Sequence, residues 1–425
     1  MRKNPYVHPL FFNQIVHNHP ETIQTMTSRS AVRIEKNVFI IFGITLFAVM
    51  GISSITPAFP GIIQYFGILP QQVGWLIAAF TLPGIFLTPV TGILADRFGR
   101  KLVLVPALFI FGFAGFLCSF MRDFHSLLIF LFIEGIGASG LSSLNITLIG
   151  DLYSGEKRAA LMGYNASILS IGTAAYPALG GFIAVFGWQY IFYLPLLAIP
   201  FGFFVLFGLN NPEPKDHQGI GEYFRKIWKN INQSSVWGLF LVNMLVFVLL
   251  YGAYLTYFPV MLSERLLASS FQIGLMMSVM SLITAATSSQ LVRINTRFQP
   301  KTLLLTGSVF YFLSMLSLLY SQSWIQVVGS VVLFGLGHGL LIPSIQNLLV
   351  GFASIKERAA FMSVNSMVLR IGQTIGPLLI GIFYTIGSLK GSFIAGAVVA
   401  MVMFGVIAGM VRGADTSSEG IGQEK

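Results

Sequence analysis

The chain has little charge and almost no cysteine. Charged residues make up 9% of its 425 positions, and Cys118 is the single cysteine. Soluble domains carry about 25% charged residues. With so few, and with 55% hydrophobic residues, no water-facing surface could cover the apolar remainder. One cysteine excludes an internal disulfide and a cysteine metal cluster. The sequence also lacks a G-x-x-x-x-G-K-[ST] loop and an H-E-x-x-H pair, which excludes P-loop nucleotide hydrolysis and zinc-protease chemistry. No cofactor, no metal site and no catalytic constellation are expected, so the reading is of a protein that is not an enzyme. His8, His17 and His19 read as residues of a solvated N-terminal tail.

Apolar sequence takes the place of charge, and mean hydropathy is +0.79. A bilayer crossing needs about 20 apolar residues. Twelve runs meet that length, near 38–58, 71–94, 102–120, 126–149, 160–184, 188–209, 236–260, 271–292, 302–320, 324–350, 360–385 and 390–411. The first follows a polar tail and lacks a small-residue cleavage pattern, so it reads as a retained helix and not as a signal peptide. The longest polar break, Asn210 to Ser235, divides the runs six and six. The expected organisation is a tail (1–37), a six-helix bundle (38–209), a linker (210–235), a second six-helix bundle (236–411) and a tail (412–425).

The basic residues orient this pattern. The formal charge of +10 would suit nucleic acid if it lay on one face, but the charges sit in short loops. Of the 25 Lys and Arg residues, 21 fall in the two tails and alternate loops, on the side that includes 92–101. Only Arg122, Arg265 and Lys390 fall on the other side, and Arg370 lies within an apolar run. Lysine and arginine collect in cytoplasmic loops. Both termini are therefore expected in the cytoplasm of a protein of the plasma or inner membrane.

The two halves repeat each other at an offset of 200 residues. Identical pairs include Gln72/Gln272, Gly74/Gly274, Arg97/Arg297, Lys101/Lys301, Asn165/Asn365, Gly172/Gly372, Pro177/Pro377 and Gly187/Gly387. Matches of leucine would mean little in apolar sequence, whereas Arg, Pro, Asn and Gly in one register indicate duplication. Parallel repeats related by an axis along the membrane normal place a binding site between the halves, near the bilayer midplane.

One polar stretch, Gly92-Ile-Leu-Ala-Asp96-Arg97-Phe-Gly99-Arg100-Lys101, separates the second and third runs. It resembles the G-x-L-a-D-r-x-G-r-[rk] loop signature of the major facilitator superfamily of secondary transporters. The resemblance covers roughly 38–411 and implies an all-α integral membrane fold of twelve transmembrane helices in two pseudo-symmetric six-helix bundles. By resemblance, Asp96, with Arg97, Gly99, Arg100 and Lys101, belongs to a cytoplasmic latch reaching the start of the eleventh helix near Ala359 to Phe361. Gly92 reads as a small residue that lets the second helix approach a neighbour. The second-half copy, Thr296-Arg297-Phe298-Gln299-Pro300-Lys301, has no Asp and no glycine, so the latch is expected on one half only.

The fifth run carries Gly172-Thr-Ala-Ala-Tyr176-Pro177-Ala-Leu-Gly180-Gly181, which resembles the g-x-x-x-G-P-x-x-G-G motif of the exporter and antiporter branches, with Tyr176 in place of its second glycine. Proline bends a helix and glycine lets helices close up, so this segment reads as a hinge. Gly376 and Pro377 repeat it in the eleventh run. A third motif, R-x-x-q-G-x-g-a, reads Leu131-Phe-Ile-Glu134-Gly135-Ile-Gly137-Ala138 here. The arginine tied to proton transfer in the family is Leu131, and Glu134 stands in the glutamine position.

Ionisable groups inside spans are costly and mark function by default. Glu134, His338 and Arg370 are the three candidates for proton coupling. Glu134 and His338 can each load and release a proton, whereas Arg370 would bind an anion or pair with Glu134. Phenylalanine is frequent, at 39 residues, and methionine stands at 16. Sparse polar groups among aromatics suit a hydrophobic small molecule better than a sugar, and Asn145, Asn243 and Tyr251 are the candidates to line its cavity. Asn165 and Asn365 read equally as bonds between helices. The expectation is a monomeric, proton-coupled antiporter for multidrug efflux, with lipid, a hydrophobic substrate and protons as its partners and no nucleic acid. The alternative is an importer or facilitator of a small, possibly anionic, metabolite.

Overall fold

The computed structural model describes residues 36–209, 234–352 and 358–411. The expected tails and nearly all of the expected linker lie outside them. In lipid an unpaired backbone N–H or C=O costs several kcal/mol, so each apolar run closes its own bonds as a helix. Ten are α1 (Lys36–Phe66), α2 (Gly74–Phe98), α3 (Arg100–Cys118), α4 (Phe124–Leu152), α5 (Gly155–Ala184), α6 (Trp188–Gly208), α7 (Ser234–Leu266), α8 (Ser270–Ser289), α9 (Pro300–Tyr320) and α10 (Trp324–Phe352).

The final stretch, Arg358–Met410, runs for 53 residues. A straight helix of that length would reach about 80 Å, far beyond a bilayer. The chain turns back at Gly387 (φ −133°, ψ 16°) and Ser388 (φ 52°, ψ −144°), giving α11 (358–386) and α12 (389–410). The reversal is tight enough that a Cβ on Gly391 would lie 2.1 Å from the Phe383 carbonyl. The described residues thus make the twelve crossings that the sequence predicts.

Two helices run past their predicted ends. Beyond Ile55, α1 passes through a 3₁₀ turn at Thr56–Ala58 and resumes over Phe59–Phe66. Proline at the first turns of these pieces suits their fixed φ and missing N–H. In α7 the segment Leu249–Tyr257 widens into a π-helix, with the Thr256 hydroxyl donating to the Tyr251 carbonyl at 2.7 Å.

The repeat is visible in the caps. Gln72 accepts from the Leu69 backbone N–H at 2.8 Å, and Gln272 accepts from that of Ser269 at 2.9 Å. Between α3 and α4, Asp123 caps α4 by accepting from the Ser126 N–H at 3.0 Å. Hydrogen bonding from Ser126 holds the Asp123 carboxyl below the ordinary carboxylate range. At the same end, Arg265 of α7 donates to the carbonyls of Leu318, Leu319 and Ser321, which close the C-terminus of α9.

Buried apolar residues gather in two main clusters, one from Val38 to Leu209 and one from Val236 to Val411. The halves meet along two seams, α5 on α8 and α2 on α11. Glycine and proline of the repeat meet crosswise there. A Cβ on Gly274 would lie 2.1 Å from the Pro177 carbonyl oxygen, and one on Gly74 would lie 2.9 Å from Pro377 Cβ. These contacts, and the packing of 59–66 on 258–266, lie at the end of the bundle opposite the 92–101 loop.

Candidate functional site

Between the halves lies a cavity of about 620 Å³. Its walls come from α5 and α8, from the π-helical part of α7, from Ser53 of α1 and from His338 of α10. It starts at Pro177 of α5 and Met277 of α8 and reaches Ser289 at the end of α8 on the side of the 92–101 loop. The opposite end is the one closed by the glycine–proline seams. Met277 and Met280 supply an adaptable apolar wall.

Helix 5 is held to this seam by its motif. Pro177 has no N–H, and the next amide, Ala178, donates across the halves to Ser278 Oγ at 3.1 Å. A Cβ on Gly180 would lie 2.0 Å from the Ser54 carbonyl oxygen, and one on Gly181 would lie 2.3 Å from that of Ser270. The motif therefore packs one helix against both α1 and α8. Gly172 faces Leu46 and Val49 of α1, and Tyr176 is buried beside it. Its repeat copy packs likewise, with Gly376 against Val248 and Gly252 of α7. Across the second seam, Thr81 and Thr374 share a hydrogen bond of 2.9 Å.

The three ionisable candidates are separated. His338 lines the cavity, and its Nδ1 shares a hydrogen bond with the Tyr311 hydroxyl of α9. Phe334 packs against the Tyr311 ring at a tilt of 31° and stacks on the His338 ring. Glu134 is fully buried inside the first half, against Gly115 of α3, and neither carboxyl oxygen has a hydrogen-bond partner. Arg370 lies at the second seam, where it donates to Ser142 Oγ of α4 at 2.7 Å and to Gln373 at 3.3 Å, beside Gly84 of α2. The expected Glu134–Arg370 pair is therefore not formed. Glu134 and Ser142 are separated by eight positions on α4, or about 12 Å of helix rise.

Two of the three cavity candidates also need correction. Asn145 donates to Thr45 Oγ1 at 3.3 Å, and Asn243 donates to Asn365 Oδ1 at 2.7 Å. Both are buried within their own halves, and neither belongs to the cavity wall. A lone amide in an apolar helix must find a partner, and these found one on the neighbouring helix. Asn165 accepts from the same Thr45 hydroxyl through its Oδ1. Tyr251 does line the cavity.

In the 92–101 segment, the side chain of Asp96 lies outside the described residues, as do those of Ala359 and Ala360. A Cβ on Gly92 would meet nothing within 4 Å, so Gly92 does not serve close packing here, contrary to expectation. The tight approaches of α2 fall at its other end, at Gly74. Gly99 has φ 93°, which favours glycine, and it separates α2 from α3. Arg97 lies over the Phe98 ring at 5.4 Å. Arg100 pairs through Nε with Asp151 Oδ2 of α4 at 2.8 Å, and Lys101 follows in the first turn of α3.

Sequence reasoning passed over α8 and the hydroxyls of α5. A signal was present, since these two spans have the lowest mean hydropathy of all.

Two pseudo-repeated helical bundles around a midplane cavity define the architecture of a secondary transporter, a multi-pass membrane protein. The chain belongs to the Major Facilitator Superfamily, whose family model matches residues 41–266 and 258–424. It is 25% identical to the Bacillibactin exporter of Bacillus subtilis (strain 168) over 356 residues, covering 80% of this chain and 88% of that protein. It is likewise 25% identical to the Quinolone resistance protein NorA of Staphylococcus aureus (strain COL), with 83% and 90% covered. Among solved structures, a bacterial homolog of the human lysosomal transporter Spinster superposes with a TM-score of 0.73 at 16% identity, over 87% of this chain and 95% of that one. The nucleoside transporter NupG superposes with a TM-score of 0.73 at 13% identity, over 89% and 98%. These two likenesses concern the fold alone.

Proposed function

We propose that the protein exports hydrophobic small molecules across the cell membrane by alternating access, in exchange for protons. The observation that carries this is the cavity between the halves, lined by hydroxyl groups, aliphatic side chains and Met277 and Met280, sealed at one end and reaching the other. The exporter and resistance names of the two relatives support the direction of transport. The lysine and arginine distribution supports a cytoplasmic 92–101 loop and cytoplasmic termini, so the cavity would face the cytoplasm in this conformation.

For the proton, His338 is the candidate best supported by position. It alone of the three lines the cavity, so a substrate and a proton there would compete directly. The titratable side chain bonded to its ring is Tyr311 of α9, and Tyr251 of α7 lines the same cavity. Glu134 and Arg370, off the cavity wall, would act through packing of the first half and through the second seam and not by carrying the proton. Asp96 and its neighbours would latch the cytoplasmic end, with Arg100–Asp151 fixing the loop to α4. The chain would work as a monomer of two bundles, 38–209 and 236–411, joined by 210–235.

Arg370 favours a second reading, an importer or facilitator of a small anion. Among the described residues it bonds hydroxyl and amide groups and pairs with no carboxylate. Flux of a panel of lipophilic cations, anions and neutral dyes into proteoliposomes, with and without a pH gradient, separates the two. Export predicts pH-driven movement of hydrophobic dyes. Uptake of anions alone, indifferent to pH, would reverse the proposal.

A further inference from the structure

Most hydroxyl groups of the cavity wall, those of α5 and α8, already donate to helix carbonyls. On α5, Ser167 donates to the Gly163 carbonyl at 3.2 Å, Ser170 to Ala166 at 2.9 Å and Thr173 to Ser170 at 3.0 Å. On α8, Ser281 donates to the Met277 carbonyl at 3.3 Å and Ser289 to that of Ala286 at 2.8 Å. Thr284 and Ser288 donate across to α10, to the Gly335 carbonyl at 3.3 Å and the Gly339 carbonyl at 3.1 Å. A hydroxyl has one proton and two lone pairs. Once its proton is committed to a helix carbonyl, only lone pairs remain for a guest.

Among the described residues the wall has few donors of its own, namely Ser53, Tyr251 and His338, and no Asp, Glu, Lys or Arg side chain lines it. A fixed cation would find no countercharge there, and an anion would face mostly lone pairs, since Arg370, behind Tyr251, already donates to Ser142 and Gln373. We infer that the cavity takes uncharged amphiphiles that carry hydrogen-bond donors, such as phenols and amides with free O–H or N–H groups, in preference to the same molecules with those donors methylated. The inference rests on the export reading for its direction of transport but not for its binding chemistry.

A site built to bond a donor rejects the analogue that lacks it, because its own polar groups are left unpaired. Biphenol and its dimethyl ether form a matched pair with one apolar body. Titration of each into the purified protein in nanodiscs should give binding of biphenol about tenfold or more tighter than the ether. The double variant Thr284→Val with Ser288→Ala, which also loses two bonds to α10, and separately Ser170→Ala, should shrink that ratio with the protein still folded. Equal or tighter binding of the ether, no binding of biphenol, tighter binding of the biphenyl carboxylate, or an unaltered ratio in both variants would overturn the inference. Flux of the two compounds from proteoliposomes is read separately. Selective binding without flux removes export and keeps the donor preference, whereas equal flux and equal binding keep export and remove the preference.

Discussion

A single methyl group at Gly274 should move this protein between its conformations. The Cβ of an alanine there would lie 2.1 Å from the Pro177 carbonyl oxygen, 2.9 Å from its carbon and 3.2 Å from Ala178 Cα. All three are backbone atoms of α5 in the other half, so no side chain can swing aside. Relief requires α8 to withdraw from α5 by about 1 Å, and overpacking of this kind costs about 1–3 kcal/mol. The cost falls only on the conformation in which this end of the seam is shut. At about 1.4 kcal/mol per factor of ten, the equilibrium should shift about 5- to 150-fold toward the opposite conformation. Gly180→Ala is the control, because its clash, 2.0 Å from the Ser54 carbonyl oxygen, lies within one half and should lower the melting temperature without moving the equilibrium. Gly92→Ala, whose methyl meets open space, should change neither. The assay is labelling of Ser281→Cys, with Cys118 replaced by alanine, by an impermeant maleimide added on the side of the 92–101 loop. Gly274→Ala should slow it, by up to that factor, because labelling follows the fraction of molecules open on that side. Parental labelling in Gly274→Ala, or equal slowing in Gly180→Ala, would refute the argument.

Other variants probe separate parts. His338→Gln should abolish acceleration of dye flux by a pH gradient, while Glu134→Gln, inside the first half, should keep it; the same proteoliposome assay reads both. Ser142→Ala removes a 2.7 Å bond between Arg370 and the first half, worth about 1 kcal/mol, and should also slow labelling of Ser281→Cys severalfold. Arg265→Ala leaves three carbonyls at the end of α9 without their cation and should cost about 1–2 kcal/mol, seen as a lower melting temperature with the flux per folded molecule retained.

The architecture was legible because lipid leaves the backbone so few choices. Runs of sufficient apolar length must be helices, and the 200-residue offset, anchored by Gln72/Gln272 and Pro177/Pro377, disclosed the duplication. Those pairs proved to be repeated caps and crosswise seam contacts. The break between the last two runs was legible in the polar residues near 387–390, with Gly387 matching Gly187. Side-chain facing was not legible. Asn145 and Asn243 were conspicuous as polar residues, but polarity cannot distinguish a group that faces a cavity from one bonded to its neighbour. Glu134 and Arg370 were attractive partners on charge alone, yet α4 carries Glu134 toward α3 and presents Ser142 to Arg370. The cavity wall is written in the serines, threonines and methionines of α5 and α8. Each is unremarkable alone, since a helix serine can satisfy its proton on its own backbone.

The central claim is that substrate crosses through the cavity between the halves. Replacing Ser281 with tryptophan puts an indole into that space from a residue that holds no seam together. Efflux of a hydrophobic dye from proteoliposomes under a pH gradient should fall to the protein-free rate while the melting temperature stays within a few degrees of the parent. Full efflux by folded Ser281→Trp would contradict the claim.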